Sequence, residues 1–228
     1  MVMLSRRIRV LLLFLSLVLA AGSRPAAMFP QGAGVPAKLA YSRTFKGSSP
    51  EYIAIRVDAT GAGTYEGRKL DESQAQGPRP FQLSSGTTER ILALAEQLHD
   101  FRGIQLESHK KVANLGEKTF TYEQGGALNR VAFNYTENRT ARDLVDVFEA
   151  IGMVEQHVAA LEFEMKYDPL NLSQELLQIQ AELKDKTLTD PQMLVPTLEK
   201  IAHGSRFLHL AQSRAQEIMD QVQPGQSR

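Results

Sequence analysis

The feature that most constrains this chain is a change of period near residue 140. Before it, apolar residues recur every second position in short runs. After it, Leu144, Val147, Ile151, Val154, Val158, Leu161 and Met165 occupy successive a and d positions of three heptads. Thr140 is placed to cap this helix, and Asp168-Pro169 to stop it. A stripe of this kind must be covered. The helices that follow can cover it as internal core, or a protein partner or second copy can cover it as a seam.

The first half reads as strands around one helix. Leu39, Tyr41, Arg43 and Phe45 alternate with small or polar residues, and Ile53, Ile55 and Val57 share one face of a second strand. A turn-rich break, Asp58 to Gly63, precedes a third strand at residues 64–66, and residues 69–80, with two prolines, read as a surface loop. Ser84 or Ser85 can cap a helix carrying Ile91, Leu94, Ala95 and Leu98 on one face. Gly125-Gly126 joins a hairpin of residues 118–123 and 128–135, and a further strand is expected within residues 104–114.

Beyond the heptads, a shorter helix runs from Ser173 to about Lys186, with Leu176, Ile179 and Leu183 on one face. Asp190-Pro191 supplies a cap and first-turn proline for a last helical stretch, which Pro196 and Gly204 are expected to kink or split. The predicted fold class is therefore α+β: a small antiparallel sheet with one packed helix, followed by a C-terminal helical hairpin or three-helix bundle. The expected organisation is a signal peptide (1–22), a flexible spacer (23–37), a sheet-and-helix domain (38–136), a helical region (137–224) and a disordered tail (225–228).

The leader is read from Arg6, Arg7 and Arg9, followed by an apolar run from Val10 and the small residues Ala20, Ala21 and Gly22. Its apolar run is shorter than the roughly 20 residues of a membrane span, so cleavage and export to a periplasmic or secreted location are expected, with membrane attachment only through an uncleaved leader. The whole chain balances 26 basic against 26 acidic side chains, and loss of the leader leaves the rest mildly acidic. That balance speaks against nucleic acid as a partner. With no cysteine, disulfides, thiol nucleophiles and zinc-thiolate sites are excluded.

Chemistry-bearing motifs are incomplete. Gly61, Gly63 and Gly67 follow a strand but precede another strand, so they read as a glycine-rich hairpin rather than a dinucleotide loop. Ser108 and Lys111 have S-x-x-K spacing without its companion motifs. His203 and His209 diverge around their helix, His157 reads as a surface or interface residue, and Glu162 and Glu164 point apart on a solvated face. His99 falls where an imidazolium would complement a helix C-terminus. Sequons occur at Asn134, Asn138 and Asn171. No cofactor is expected.

The stretch from Tyr41 to Phe101, with YSRTFKGSSPEYIAIRVDATGAGTYEG, PFQLS and the ERILALAEQLHDF helix, resembles exported bacterial domains of unknown function. These pair a hairpin around a D-x-x-G turn with a serine-capped helix. The resemblance implies export and an α+β start. Two functional expectations follow. One is a non-catalytic accessory or protein-interaction module of the cell envelope, using a sheet edge or the helical seam. The other is a small-ligand-binding protein or hydrolase, its site in the crease between sheet and helices near His109, Tyr122, Arg130 and Tyr135.

Overall fold

Alternation along the strands gives the sheet one face filled by helices and one that no described helix covers. In this computed structural model, which describes residues 37–71 and 77–223, six strands form one antiparallel sheet in the order β4-β3-β2-β1-β5-β6. They are β1 (Lys38–Thr44), β2 (Tyr52–Asp58), β3 (Ala62–Arg68), β4 (Arg79–Gln82), β5 (Glu117–Gln124) and β6 (Ala127–Phe133). The leader, most of the spacer and the tail lie outside the described residues. β1 is central: Tyr41 stands in register with Ile55 on one side and Phe120 on the other, and these stand opposite Tyr65 and Val131. All five are buried under the helices.

The helices are α1 (Ser85–Gln97), α2 (Arg139–Tyr167), α3 (Leu172–Asp185), α4 (Val195–Ala202) and α5 (His209–Val222). Their predicted boundaries hold closely. The cap of α2 is Asn138 rather than Thr140, its side chain accepting from the Ala141 N–H at 3.0 Å. The last stretch splits where Gly204 stands, because a Cβ there would lie 2.5 Å from the buried Phe207 ring that turns the chain. The C-terminal layer is thus the second half of α2 packed with α3, α4 and α5. At 29 residues, α2 is about 43 Å long. Leu144, Val147 and Ile151 enter the sheet core with Phe148, whereas Val154, Val158, Leu161 and Met165 enter the helical core. All seven heptad residues are buried within the chain, none more than 8% exposed. One helix therefore serves two cores across the boundary placed at residue 137.

Two strand expectations need correction. Residues 104–114 form no strand, and residues 79–82, read as loop and helix entry, form β4. Asn134 ties down only the end of the first: its side chain donates to the Ala113 carbonyl at 3.0 Å and accepts from the N–H of Leu115, just beyond the segment, at 2.7 Å. The same bonds occupy the amide of that sequon. For the second, Pro80 is tolerated because β4 is an edge. Phe81 stands opposite Gly63, where an added Cβ would come within 2.4 Å of the ring. That close approach accounts for one of the three glycines.

Long-range polar contacts join the layers. Tyr41 donates to Glu149 of α2, and Arg43 reaches the same carboxylate at 2.9 Å. Asp190, expected to cap its own helix, instead binds the start of α1: it accepts from the Ser84 N–H, the Ser84 hydroxyl and the Thr87 hydroxyl, each at 2.8 Å.

Candidate binding face

The face of the sheet opposite the helices is floored with small and hydroxylated side chains. Register places Thr121, Ala40, Arg56 and Thr64 in one row across β5, β1, β2 and β3, and Thr119, Ser42, Ala54 and Glu66 in the next. Solvent-facing strand positions ordinarily carry long polar side chains. Here alanine, serine and threonine at the centre leave a trough of about 570 Å³, lined also by Lys38, Tyr52, Asp58 and Glu123. This falls within the size range of ligand sites, though it is an open depression rather than an enclosed pocket.

Thr119 is the most informative floor residue. It is only 6% exposed and lines the trough. Its hydroxyl has no hydrogen-bond partner among the described residues, yet it is not among the side-chain atoms sealed from solvent. The hydroxyls of Ser42, Thr64 and Thr121 are likewise unpartnered. A floor of free hydroxyls can donate to and accept from an amide-rich occupant, and the lack of long side chains lets a backbone approach closely.

Charge is arranged around this floor. Lys38 stands in register between Asp58 and Glu123. Hydrogen bonds from the Thr60 hydroxyl at 2.6 Å and the Thr60 N–H at 2.8 Å hold the Asp58 carboxyl below its ordinary range. Arg56 lines the trough, and Arg130, in register with Thr121, stands at its β6 rim. Both are exposed.

A second depression, about 510 Å³, lies between β3 and α2 and is lined by Tyr65, Arg68, Arg79, Gln156 and Glu162 among others. Behind it, Glu155 is 2% exposed. Arg79 Nε approaches its Oε2 at 3.6 Å, beyond hydrogen-bond reach, so that oxygen has no hydrogen bond. Burial pushes this carboxyl up to about 7, against the lowering by Arg79. Tyr65 is raised to about 12, first by burial and then by the Glu155 charge. Arg79 also pairs with Glu162 at 3.5 Å.

His157 corrects the reading of a surface or interface residue. It is 7% exposed and lies between α2 and α3, with Nδ1 2.6 Å from Glu175 and Nε2 2.8 Å from Glu182. Glu164 is buried too, accepting from Asn171 at 2.6 Å, so it does not lie on a solvated face. Both imidazole nitrogens are occupied by different carboxylates. Among the described residues, no group of three or more histidine, aspartate or glutamate side chains could hold a metal ion.

The four crease residues do not converge. Tyr122 is half-buried on the helix side of β5, its hydroxyl donating to Gln124 at 3.2 Å. Arg130 follows Asn129, the register partner of Tyr122, and so projects from the opposite face. His109 is exposed in the loop before β5, joined to Tyr135 only through the neighbouring Ser108 N–H, which donates to the Tyr135 carbonyl at 2.8 Å. None of the four lines the trough; Arg130 stands on the same face, in register with its floor residue Thr121. The floor residues went unread in the sequence, although small or hydroxylated residues at alternate positions of β1 and β5, Ala40 with Ser42 and Thr119 with Thr121, were a usable signal. No protein-family model, curated protein or solved structure matches the chain. No helix among the described residues is long and apolar enough to cross a membrane.

Proposed function

We propose that this protein is an exported, non-catalytic binding module of the cell envelope, whose open sheet face holds an extended segment of a partner polypeptide. The observation that carries this reading is the trough built from small residues, with the hydroxyl of Thr119 at its floor, open to solvent and without a partner among the described residues. A peptide backbone laid over it would exchange water for a fixed hydrogen-bond partner at that hydroxyl. The basic, apolar leader pattern supports export. The open form of the trough favours a chain segment over a small molecule, which binds best where most of its surface is enclosed.

Selection of displayed 12-residue peptides on the purified protein tests this reading, with Ala40→Trp and Thr121→Trp as trough-filling variants. Enriched peptides should bind the wild type and lose at least tenfold in affinity to either variant, each verified as folded by circular dichroism. Peptides that bind both variants as well as the wild type overturn the reading, as does a selection that enriches none.

A second reading is a small-ligand or hydrolytic site in the crease between β3 and α2. It rests on the Glu155 carboxyl, raised to about 7, the range suited to general acid-base work. Hydrolysis of a simple ester panel whose pH profile bends near 7, and loses that bend in Glu155→Gln, supports it. No turnover above background refutes it.

A further inference from the structure

Resting on the trough reading above, we infer that the bound segment is acidic and carries two carboxylate side chains four residues apart. Arg56 and Arg130 are the basis. Neither has a hydrogen bond, ion pair or ring contact among the described residues, and both stand on the open face in one row, Arg130 beside Thr121, Thr121 beside Ala40, and Ala40 beside Arg56. By contrast, the other arginine at the margin of this face is engaged: Arg68 bonds Glu66 at 3.0 Å and stacks 4.4 Å over Tyr52. Two free guanidinium groups thus bracket a floor of small residues.

Their spacing sets the ligand. β6 and β2 are three strand intervals apart, about 14 Å at the usual inter-strand distance. An extended peptide crossing the strands advances about 3.4 Å per residue, so four residues span nearly the same distance, and the two-residue side-chain period turns positions i and i+4 to the same side. Each arginine then meets one carboxylate, with two parallel N–H···O bonds within reach of its planar fork. Between them, peptide groups lie over Thr121 and Ala40, with the hydroxyls of Thr119 and Ser42 in the adjoining row.

The surrounding charges separate a peptide from a continuous polyanion. Two residues along the strands from the arginine row, Glu123 and Asp58 flank Lys38, and Asp58 is held ionised by its bonds from Thr60. On the other side, Glu66 stands beyond Ala54. A phosphodiester or polysulfate chain would set negative charge against these carboxylates, whereas a peptide can confine its charge to the two arginine positions.

Fluorescence anisotropy tests the inference with labelled 12-residue peptides of serine, threonine and alanine. Each bears two glutamates spaced i,i+2, i,i+4 or i,i+6, with a double-glutamine control. The protein is compared with Arg56→Ala, Arg130→Ala, the double variant and Ala40→Trp. Both arginines are exposed, so their removal leaves the fold intact. The i,i+4 peptide should bind tightest, each arginine loss should weaken it about tenfold, and added salt should weaken it further. Binding that Ala40→Trp abolishes but that ignores glutamate spacing, or ignores both arginine variants, overturns the acidic inference and leaves the trough reading standing. Binding indifferent to Ala40→Trp, or no binding by any peptide, overturns both. Displacement of the i,i+4 peptide by an equimolar sulfated oligosaccharide overturns the peptide in favour of a polyanion.

Discussion

Replacement of His157 by leucine should cost this protein about 2–3 kcal/mol at pH 6, and the loss should shrink as the pH rises. The ring bridges α2 to α3 through Glu175 and Glu182, and with a carboxylate at each nitrogen it is held as the doubly protonated imidazolium. Burial alone would depress its pKa, but the two hydrogen bonds and the adjoining charges outweigh burial and raise it. Removing one partner of a fully buried ion pair costs about 3–5 kcal/mol, because the remaining charge is stranded. Here the two carboxylates keep 15% and 19% exposure, which water screens in part, hence the smaller figure.

A group whose folded pKa lies above its unfolded value of about 6.5 contributes fully below that pH and loses its contribution as pH rises through the folded pKa. The nearby Glu164, raised chiefly by burial, acts in the same direction: its folded form favours the proton, so its ionisation also weakens the fold. Urea denaturation followed by far-ultraviolet circular dichroism at pH 6, 7.5 and 9 measures the His157 effect. Wild type should be less stable at pH 9 than at pH 6, and His157→Leu should show a flatter profile. Adding Glu175→Gln and Glu182→Gln to His157→Leu should recover more than half of the loss, since the stranded charges are then gone. A His157→Leu variant as stable as wild type at pH 6, or one whose deficit grows toward pH 9, would refute the argument.

Asp190→Ala should destabilise by about 2–3 kcal/mol, since three 2.8 Å bonds to the start of α1 are lost; combining it with Ser84→Ala should add less than the sum of the two single losses in thermal melts. Gly63→Ala should cost about 1–3 kcal/mol by driving its Cβ into Phe81. Phe81→Ala in the same chain should relieve the part of the clash due to the ring, leaving the 2.7 Å approach to the Arg56 carbonyl, so the double variant is less unstable than the sum of the singles. Glu155→Gln should flatten the fall in stability between pH 6 and 8: its folded pKa is raised to about 7, so the wild type loses stability as pH rises through that value. Denaturant midpoints at the two pH values read this directly.

Much of the fold was legible because local periodicity is a property of neighbouring residues. The heptad stripe of α2, the Gly125-Gly126 hairpin, the Ser84 cap and the break at Gly204 each depend on residues within a few positions of one another. The sequence readings failed where a residue is claimed by a distant part of the chain. His157 alone reads as a polar residue on a long helix, and only the arrival of Glu175 and Glu182 makes it a buried cation. Asp190 has the form of a local cap, yet it serves Ser84, 106 positions earlier. Residues 104–114 form no strand, and their end is held instead by Asn134, which bonds the Ala113 carbonyl from 21 positions away.

By itself, then, the sequence determined the types of most elements, the leader pattern, the absence of thiol chemistry and the apolar stripe that must be buried. Tertiary structure decided which faces are covered. Insertion of β1 between β2 and β5 unites the small outward-facing residues of β1 and β5 with Ala54 of β2 into one floor and brings Arg56 and Arg130 into one row. Strand alternation is a one-dimensional signal with no term for which strands become neighbours; that choice depends on loop closure and on how the two cores pack along α2, so a site assembled across four strands exists only in the folded chain.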